Sequence, residues 1–338
     1  MKYFDVVIIG AGPAGLKCAE TLGNSNFKVL LLEKDSEIGP KPCGGLMTSK
    51  GLDFFNKDVK GEKFDSLFLN FASKKNKVDI HKFPLYTINR EDLGQIQLKK
   101  VLSFKNITVR KNSLVTKIEN NYIIVNNEKI GFKYLVGVDG SSSMVRKYLD
   151  IDTKKLGIAF HYVIPTNKYK DIEIFFDSKL FGPWYAWILP HKDYVSIGTG
   201  CDPRIIPTKK IMENFKIWLK EKNIDISKAK YEAHTLNYDY RGVEFDNIFL
   251  AGDAAGLIYS FTGEGIHPAM VSGEEVAKKI LNSDYSINID EILKKKKEQD
   301  RVAGVLIRFG FLRTVLHFLI VKMITNKRFR NIIVRVLA

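Results

Sequence analysis

Gly10-Ala11-Gly12-Pro13-Ala14-Gly15 follows an apolar run, and Glu33 stands 18 residues beyond Gly15. In that order each residue has a mechanical reason. Gly10 permits a tight turn, Gly12 lets a pyrophosphate approach the backbone, Gly15 lets a helix pack closely on a strand, and the helix N-terminus attracts the anion. Glu33 then accepts hydrogen bonds from an adenosine ribose. The pattern alone admits NAD or FAD. A later segment discriminates between them: Asn247 to Gly256 (NIFLAGDAAG) reads as a buried strand that delivers Asp253 at its C-terminal edge, followed by Gly263-Glu264-Gly265-Ile266 at the start of a helix. An aspartate there holds a ribityl hydroxyl, which NAD lacks. Amides of a helix beginning at Gly265 aim its positive dipole end at the N1 and O2 region of a flavin and stabilise the anionic reduced ring. The expected dinucleotide is FAD.

Cys43 lies between Pro42 and the Gly44-Gly45 pair, on a loop whose small residues allow the backbone to come near a flavin. A cysteine there donates a proton at neutral pH or is a small apolar filler. Tyr185 and Trp187 alternate along an expected strand and share one face, where they line an apolar pocket closed by Pro190 or pack in a core. His267, two residues beyond Gly265, is a further candidate proton source. Cys18 and Cys201 lie in no motif, and three scattered cysteines without a Cys-x-x-Cys pair suggest neither a disulfide framework nor a zinc site.

The elements that must position these groups follow from periodicity. Tyr3 to Ile9, Ala14 to Leu22 and Lys28 to Leu32 read as a β-α-β unit. Residues 64–88 read as irregular strands, Glu91 to Leu102 as a helix, and Ile107 to Val138 as short strands with hairpin turns at Asn120-Asn121 and Asn126-Asn127. Leu156 to Thr199 predicts four antiparallel strands. A helix over Lys209 to Lys222, strands at Tyr231 to Asn237 and Asn247 to Leu250, and a helical remainder after Gly263 complete the reading. The Lys294 to Lys297 run reads as a solvated helix face.

At ~150 residues per domain the 338 residues suffice for about two domains, and 45% apolar with 27% charged residues excludes a disordered chain or a polytopic membrane protein. Of the net charge of +15, eight positive charges fall in residues 301–338, which contain no Asp or Glu. Concentrated there, the excess reads as a local contact with an anionic surface, and no nucleic-acid partner is expected. Arg308, Arg313 and Lys322 interrupt the apolar stretch Val302 to Ile324 and disfavour a transmembrane span. An interfacial basic helix and a cap packed on the protein remain as alternatives. With no N-terminal signal pattern, the expected location is the cytoplasm, peripheral attachment to the membrane's inner face being the option that the C-terminus opens.

Tyr134 to Arg146 (YLVGVDGSSSMVR) resembles the Asp-Gly segment of the flavoprotein hydroxylase superfamily, where Asp139 and Arg146 serve as turn and cap or as cofactor contacts. Together with Pro42-Cys43-Gly44-Gly45, Arg90 at the head of its helix and Tyr185-Ala186-Trp187-Ile188-Leu189-Pro190, the chain resembles the geranylgeranyl reductase family of FAD-dependent enzymes over about residues 1–285. Leu189 departs from the Phe usual in that motif. The resemblance implies an α/β fold with an α+β insertion: a Rossmann-like FAD-binding domain with an inserted antiparallel-sheet substrate domain, and a helical C-terminus. The expected segments are 1–63, 89–152 and 241–285 for FAD, 64–88 and 153–240 for substrate, and 286–338 as a basic helical region. It carries FAD contacts onto Gly15, Glu33, Cys43, Gly44, Arg90, Val115 through its backbone, Asp253, Gly265 and Ile266. The implied activity is saturation of double bonds in a prenylated lipid, quinone or diphosphate, Cys43 being the candidate acid, with NAD(P)H or a ferredoxin as electron donor. A flavin-dependent monooxygenase or halogenase, and a membrane-surface flavoprotein that only relays electrons, are the competing readings.

Overall fold

The computed structural model describes residues 1–55 and 59–326. The end of the basic tail, 327–338, therefore lies outside the described residues. The chain begins with β1 (Lys2–Ile9), α1 (Pro13–Thr21) and β2 (Val29–Leu32). It continues through β3 (Leu46–Thr48), α2 (Ser49–Leu52), β4 (Glu62–Phe64), β5 (Ser66–Phe71), β6 (Lys74–Asp79), β7 (Leu85–Thr87) and α3 (Arg90–Leu102). Four strands, β8 (Ile107–Arg110), β9 (Val115–Ile118), β10 (Tyr122–Val125) and β11 (Glu128–Gly137), precede the short α4 (Met144–Tyr148). Next come β12 (Leu156–Ile164), β13 (Ile172–Phe176), β14 (Ala186–Pro190), β15 (Val195–Cys201), α5 (Thr208–Glu221) and β16 (Lys230–Asn237). The last part holds β17 (Glu244–Phe245), β18 (Ile248–Leu250), α6 (Gly252–Ala255), α7 (Ile266–Leu281), α8 (Asp290–Arg308) and α9 (Arg313–Thr325).

Local chemistry explains several boundaries. Asn89 caps α3 by accepting the Glu91 N–H at 2.8 Å, and Glu91 and Asp92 in the first turn with Lys99 and Lys100 in the last match the helix dipole. Such a cap is worth ~1 kcal/mol. Asn126 and Asn127 turn β10 into β11 at φ of 48° and 63°, the left-handed geometry that a tight hairpin demands. The Asn120-Asn121 turn, by contrast, does not use positive φ.

Two large sheets result. The first runs β17-β18-β11-β1-β2-β8, with β9 and β10 folded against β11, and its central strands β18, β11, β1, β2 and β8 are mutually parallel. Helices and loops cover both faces, so β2 and β18 are apolar and buried at every position. On one face α1 and α7 pack against each other and the sheet so closely that a Cβ at Gly273 would sit 2.2 Å from the Ala14 carbonyl oxygen. The second sheet runs β16-β12-β15-β14-β13-β5-β6 and is antiparallel except where β13 meets β5, a strand brought from before α3. One face buries Phe160, Phe175, Ile188 and Ile197 against Ile211, Phe215 and Trp218 of α5. A third, small sheet pairs β7 with β3 and β4.

α8 and the Gly310–Thr325 segment meet at 92°, and no single helix among the described residues is long and apolar enough to cross a membrane. Their inner faces pack Ala303, Leu306, Val321 and Ile324 onto Leu69, Val78, Ile80 and Phe176. The lysine run of α8 is not a uniformly solvated face. Lys296 is buried and its Nζ donates to the carbonyls of Tyr238 (2.7 Å) and Ile258 (3.0 Å), while Lys295 pairs with Glu264 at 3.1 Å. Those carbonyls and that carboxylate come from distant segments, which is why local spacing misses them. Burial pushes the Lys296 ammonium down to about 8.

Candidate cofactor and substrate site

The nucleotide end is made of backbone. Gly10 ends β1 at φ 109°, with the Val138 carbonyl where a Cβ would be, and a Cβ at Gly15 would lie 2.0 Å from the Gly10 carbonyl oxygen. A side chain at Gly10 would displace the Val138–Asp139 backbone, and one at Gly15 would separate α1 from the sheet. Nothing lies within 4 Å of a Cβ at Gly12, the N-cap of α1, which has no side-chain cap bond of its own. The helix start is thus open to an anion. Glu33, just past β2, accepts the Ala11 N–H at 2.9 Å and the Asp35 N–H at 3.1 Å, tying the glycine turn to the neighbouring strand. Val115 opens β9 opposite Val125, with its side chain in the core under the first sheet.

Asp253, Arg90 and Lys41 converge across the sheet edge. Asp253 lies in α6 immediately after β18; its Oδ2 is 3.2 Å from Lys41 Nζ, 3.4 Å from Ser141 Oγ and 3.9 Å from His234 Nε2. Gly265, the N-cap of α7 without a side-chain cap, is adjacent: its Cβ would sit 3.5 Å from Asp253 Oδ1. Ile266 follows and packs against the Met47, Phe55 and Met270 cluster. Arg90 is buried, and its Nη1 has no hydrogen-bond partner among the described residues. Burial lowers its pKa, and the proximity of Cys43 and Asp253 raises it again. A buried guanidinium with an unfilled donor, two uncapped helix starts and an aspartate at the strand edge are what an FAD requires. The residues present fit that cofactor.

Arg146 and Asp139 both make structural contacts. The Arg146 guanidinium donates to the carbonyls of Ala254 (3.3 Å) and Asp239 (2.8 Å), holding the helix that carries Asp253. Asp139 accepts the Met144 N–H at 2.6 Å at the start of α4, and burial pushes its carboxyl up.

A cavity of about 330 Å³ opens from the Pro42–Gly45 loop and extends along the inner face of the second sheet. On β14 and the residue before it, Ala186 and Ile188 face α5, whereas Tyr185, Trp187 and Leu189 face the cavity, the alternation a strand imposes. Tyr185 and Trp187 meet edge to face with centroids 6.5 Å apart; the Tyr185 hydroxyl donates to the Thr262 carbonyl at 2.8 Å and Trp187 Nε1 to Ser196 Oγ at 3.2 Å. Cys43 is half-buried on the cavity wall, and its Sγ accepts the Gly45 N–H at 3.4 Å. Gly44 leaves room for Leu189, whose Cδ1 would lie 2.9 Å from a Cβ there.

Of the candidate proton sources, His267 does not line this cavity. It packs edge-on against Phe54. Burial and the nearby Lys295 and Lys50 push it down to about 4. Glu264 does line the cavity, and burial raises its carboxyl while Lys295 draws it back. Sequence reasoning also missed His191 and His161. His191 donates from Nε2 to the Gly44 carbonyl at 3.0 Å and stacks on Tyr194, and burial pushes it down to about 4, so it is neutral at pH 7 and pins the cysteine loop. His161 reaches Ser196 Oγ at 2.9 Å and so backs the Trp187 indole. Only His191 left a signal, its place directly after the Tyr185–Pro190 motif.

Known proteins match this architecture. Residues 4–163 fit the family model described as pyridine nucleotide-disulphide oxidoreductase. The chain is 29% identical to digeranylgeranylglycerophospholipid reductase 3 of Methanosphaera stadtmanae, with 85% of this chain and 80% of that one covered. It is 30% identical to Protein CbrA of Escherichia coli O157:H7, covering 85% of this chain and 87% of the relative. Among solved structures, a geranylgeranyl bacteriochlorophyll reductase-like protein of Thermoplasma acidophilum superposes with a TM-score of 0.78 at 18% identity, covering 97% of this chain and 92% of that one. The fold is thus the Rossmann-like FAD-binding fold with an inserted antiparallel sheet, the cofactor is FAD, and the chain belongs to the geranylgeranyl reductase family of FAD-dependent oxidoreductases.

Proposed function

We propose that this oxidoreductase saturates carbon–carbon double bonds of a polyprenyl group, of geranylgeranyl type, carried on a lipid, quinone or diphosphate. The observation that carries the reading is the cavity: one end is the Cys43-Gly44 loop beside the Arg90 and Asp253 cluster, and the walls beyond are Leu67, Leu69, Ile80, Phe176, Trp187 and Ile324. A prenyl chain offers no polar group to grip, so its binding rests on burial, ~0.8 kcal/mol per CH₂. When bound and reduced, FAD supplies hydride; NAD(P)H or a ferredoxin supplies the electrons.

An isolated alkene is a poor electrophile, so the protein must hold it in place and deliver a proton in step. Tyr185 and Trp187 form the rigid wall that orients the chain and excludes water. Cys43, whose sulfur is oriented by the Gly45 amide, is the proton donor in this reading. The His191 bond to Gly44 keeps the loop from shifting.

Dithionite-reduced protein, incubated anaerobically with a geranylgeranyl lipid or diphosphate, should add two hydrogens per double bond by mass spectrometry. Cys43→Ala should lower turnover by ~10² to 10⁴-fold with the flavin retained. No mass gain with any prenyl substrate, together with oxygen-dependent product from an aromatic one, would reassign the protein to the monooxygenases.

A further inference from the structure

α9 is apolar at most of its positions, Arg313, Thr314, His317, Lys322 and Thr325 excepted. His317, Val321 and Ile324 are buried against the second sheet, and Ile324 lines the cavity. The outward positions are Thr314, Val315, Phe318, Leu319, Lys322 and Met323, and the turn before the helix adds Phe309, Phe311 and Leu312, all exposed, Phe311 at 84%. Positions 311, 315, 318/319 and 323 recur at helical spacing, so these apolar side chains form one stripe, with Lys322 beside them. A helix facing water carries polar residues there, and an apolar surface of this extent marks a contact.

The charges around the stripe select the partner. Among the described residues from 301 onward the charged side chains are Arg301, Arg308, Arg313 and Lys322, with no acid. Arg308 lies 5.7 Å from the Phe309 ring and Lys322 5.7 Å from the Phe318 ring, cations flanking aromatic bodies. A second copy of the chain would bring the same basic surface and be repelled. A bilayer with anionic headgroups accepts both features, rings at the headgroup boundary and cations reaching phosphates. We propose that the outward face of α9 and the Phe309–Leu312 turn are a docking surface for an anionic lipid bilayer. Docked so, one helix separates the cavity from the lipid.

The test is flotation of the full-length flavoprotein with vesicles of phosphatidylcholine, with and without phosphatidylglycerol. The wild type should float with the anionic vesicles, less with the neutral ones, and less as salt rises. The Phe311→Asp/Leu319→Asp variant, altered only at exposed positions, should lose about tenfold or more of its vesicle partition with unchanged flavin absorbance and melting temperature. Wild type that stays in solution with anionic vesicles, or a variant that floats equally well, overturns the proposal. So does a wild-type dimer that the variant converts to monomer, which would make the face a subunit contact. Alkene reduction by the variant in detergent tests the catalytic reading separately.

Discussion

The nucleotide end and the cavity meet at Cys43 but are built by opposite means. At the nucleotide end the recognition surface is backbone: glycine turns, uncapped helix starts and strand ends, with few side chains beyond Glu33, Arg90 and Asp253. In the cavity it is side chain, one per alternate strand position, from β5, β6, β13 and β14 and from α9. A backbone surface demands a particular residue, usually glycine, at a particular place. A side-chain surface accepts many combinations of similar volume. The first wall is therefore tightly constrained, and the second, which we propose holds the substrate, is where residues can vary, as Leu189 in place of the usual Phe illustrates.

The largest effect should come from the backbone wall. A Cβ at Gly15 meets the Gly10 carbonyl oxygen at 2.0 Å, a backbone atom that cannot swing away. Gly15→Val should abolish flavin binding and lower soluble yield, read as loss of visible absorbance in the purified protein. Gly12→Ala is the contrast: its Cβ has open space, so the chain should fold, and flavin should be lost only as far as the methyl obstructs the pyrophosphate. A Gly15→Val protein that stays yellow would erase the distinction between the two walls.

Asp253→Ala comes next. It removes the carboxylate that Lys41 and Ser141 hold at the strand edge. Losing a charge-assisted bond to a ribityl hydroxyl costs ~1.5 to 3 kcal/mol, about 10- to 100-fold in FAD dissociation constant. Asp253→Asn, which keeps an acceptor without the charge, should fall between. Equal retention in all three proteins, measured by flavin fluorescence on dilution, would remove Asp253 from the cofactor site.

The same contrast explains what could be read without a structure. Gly10, Gly12, Gly15, Glu33 and Asp253 stand out because turn and helix-start geometry act locally and demand those residue types. Trp187 was legible as one face of a strand, but not its support, since Ser196 and His161 reach it only through the order β12-β15-β14. His191 holds the carbonyl of Gly44, 147 residues away. Lys296 looked solvated because nothing within α8 announces the Tyr238 and Ile258 carbonyls it bonds. The pairing of β5 with β13 was likewise invisible, because a parallel contact between remote segments leaves no turn signature.

The smallest expected effect probes the cavity wall itself. Trp187→Phe keeps an aromatic ring facing Tyr185 and deletes the Nε1 bond to Ser196, whose hydroxyl retains His161 as partner. A bond between neutral groups contributes ~1 kcal/mol net, so with Ser196 still satisfied the loss should not exceed that. Gly198 makes room for the indole, a Cβ there lying 2.5 Å from Trp187 Cζ2, so the smaller ring leaves a gap over β15 and no clash. If Trp187 serves only to hold the prenyl chain, KM should rise about fivefold with kcat unchanged, the signature of lost uniform binding. A fall in kcat at constant KM would place Trp187 at the reacting double bond instead, on the Cys43 side of the divide.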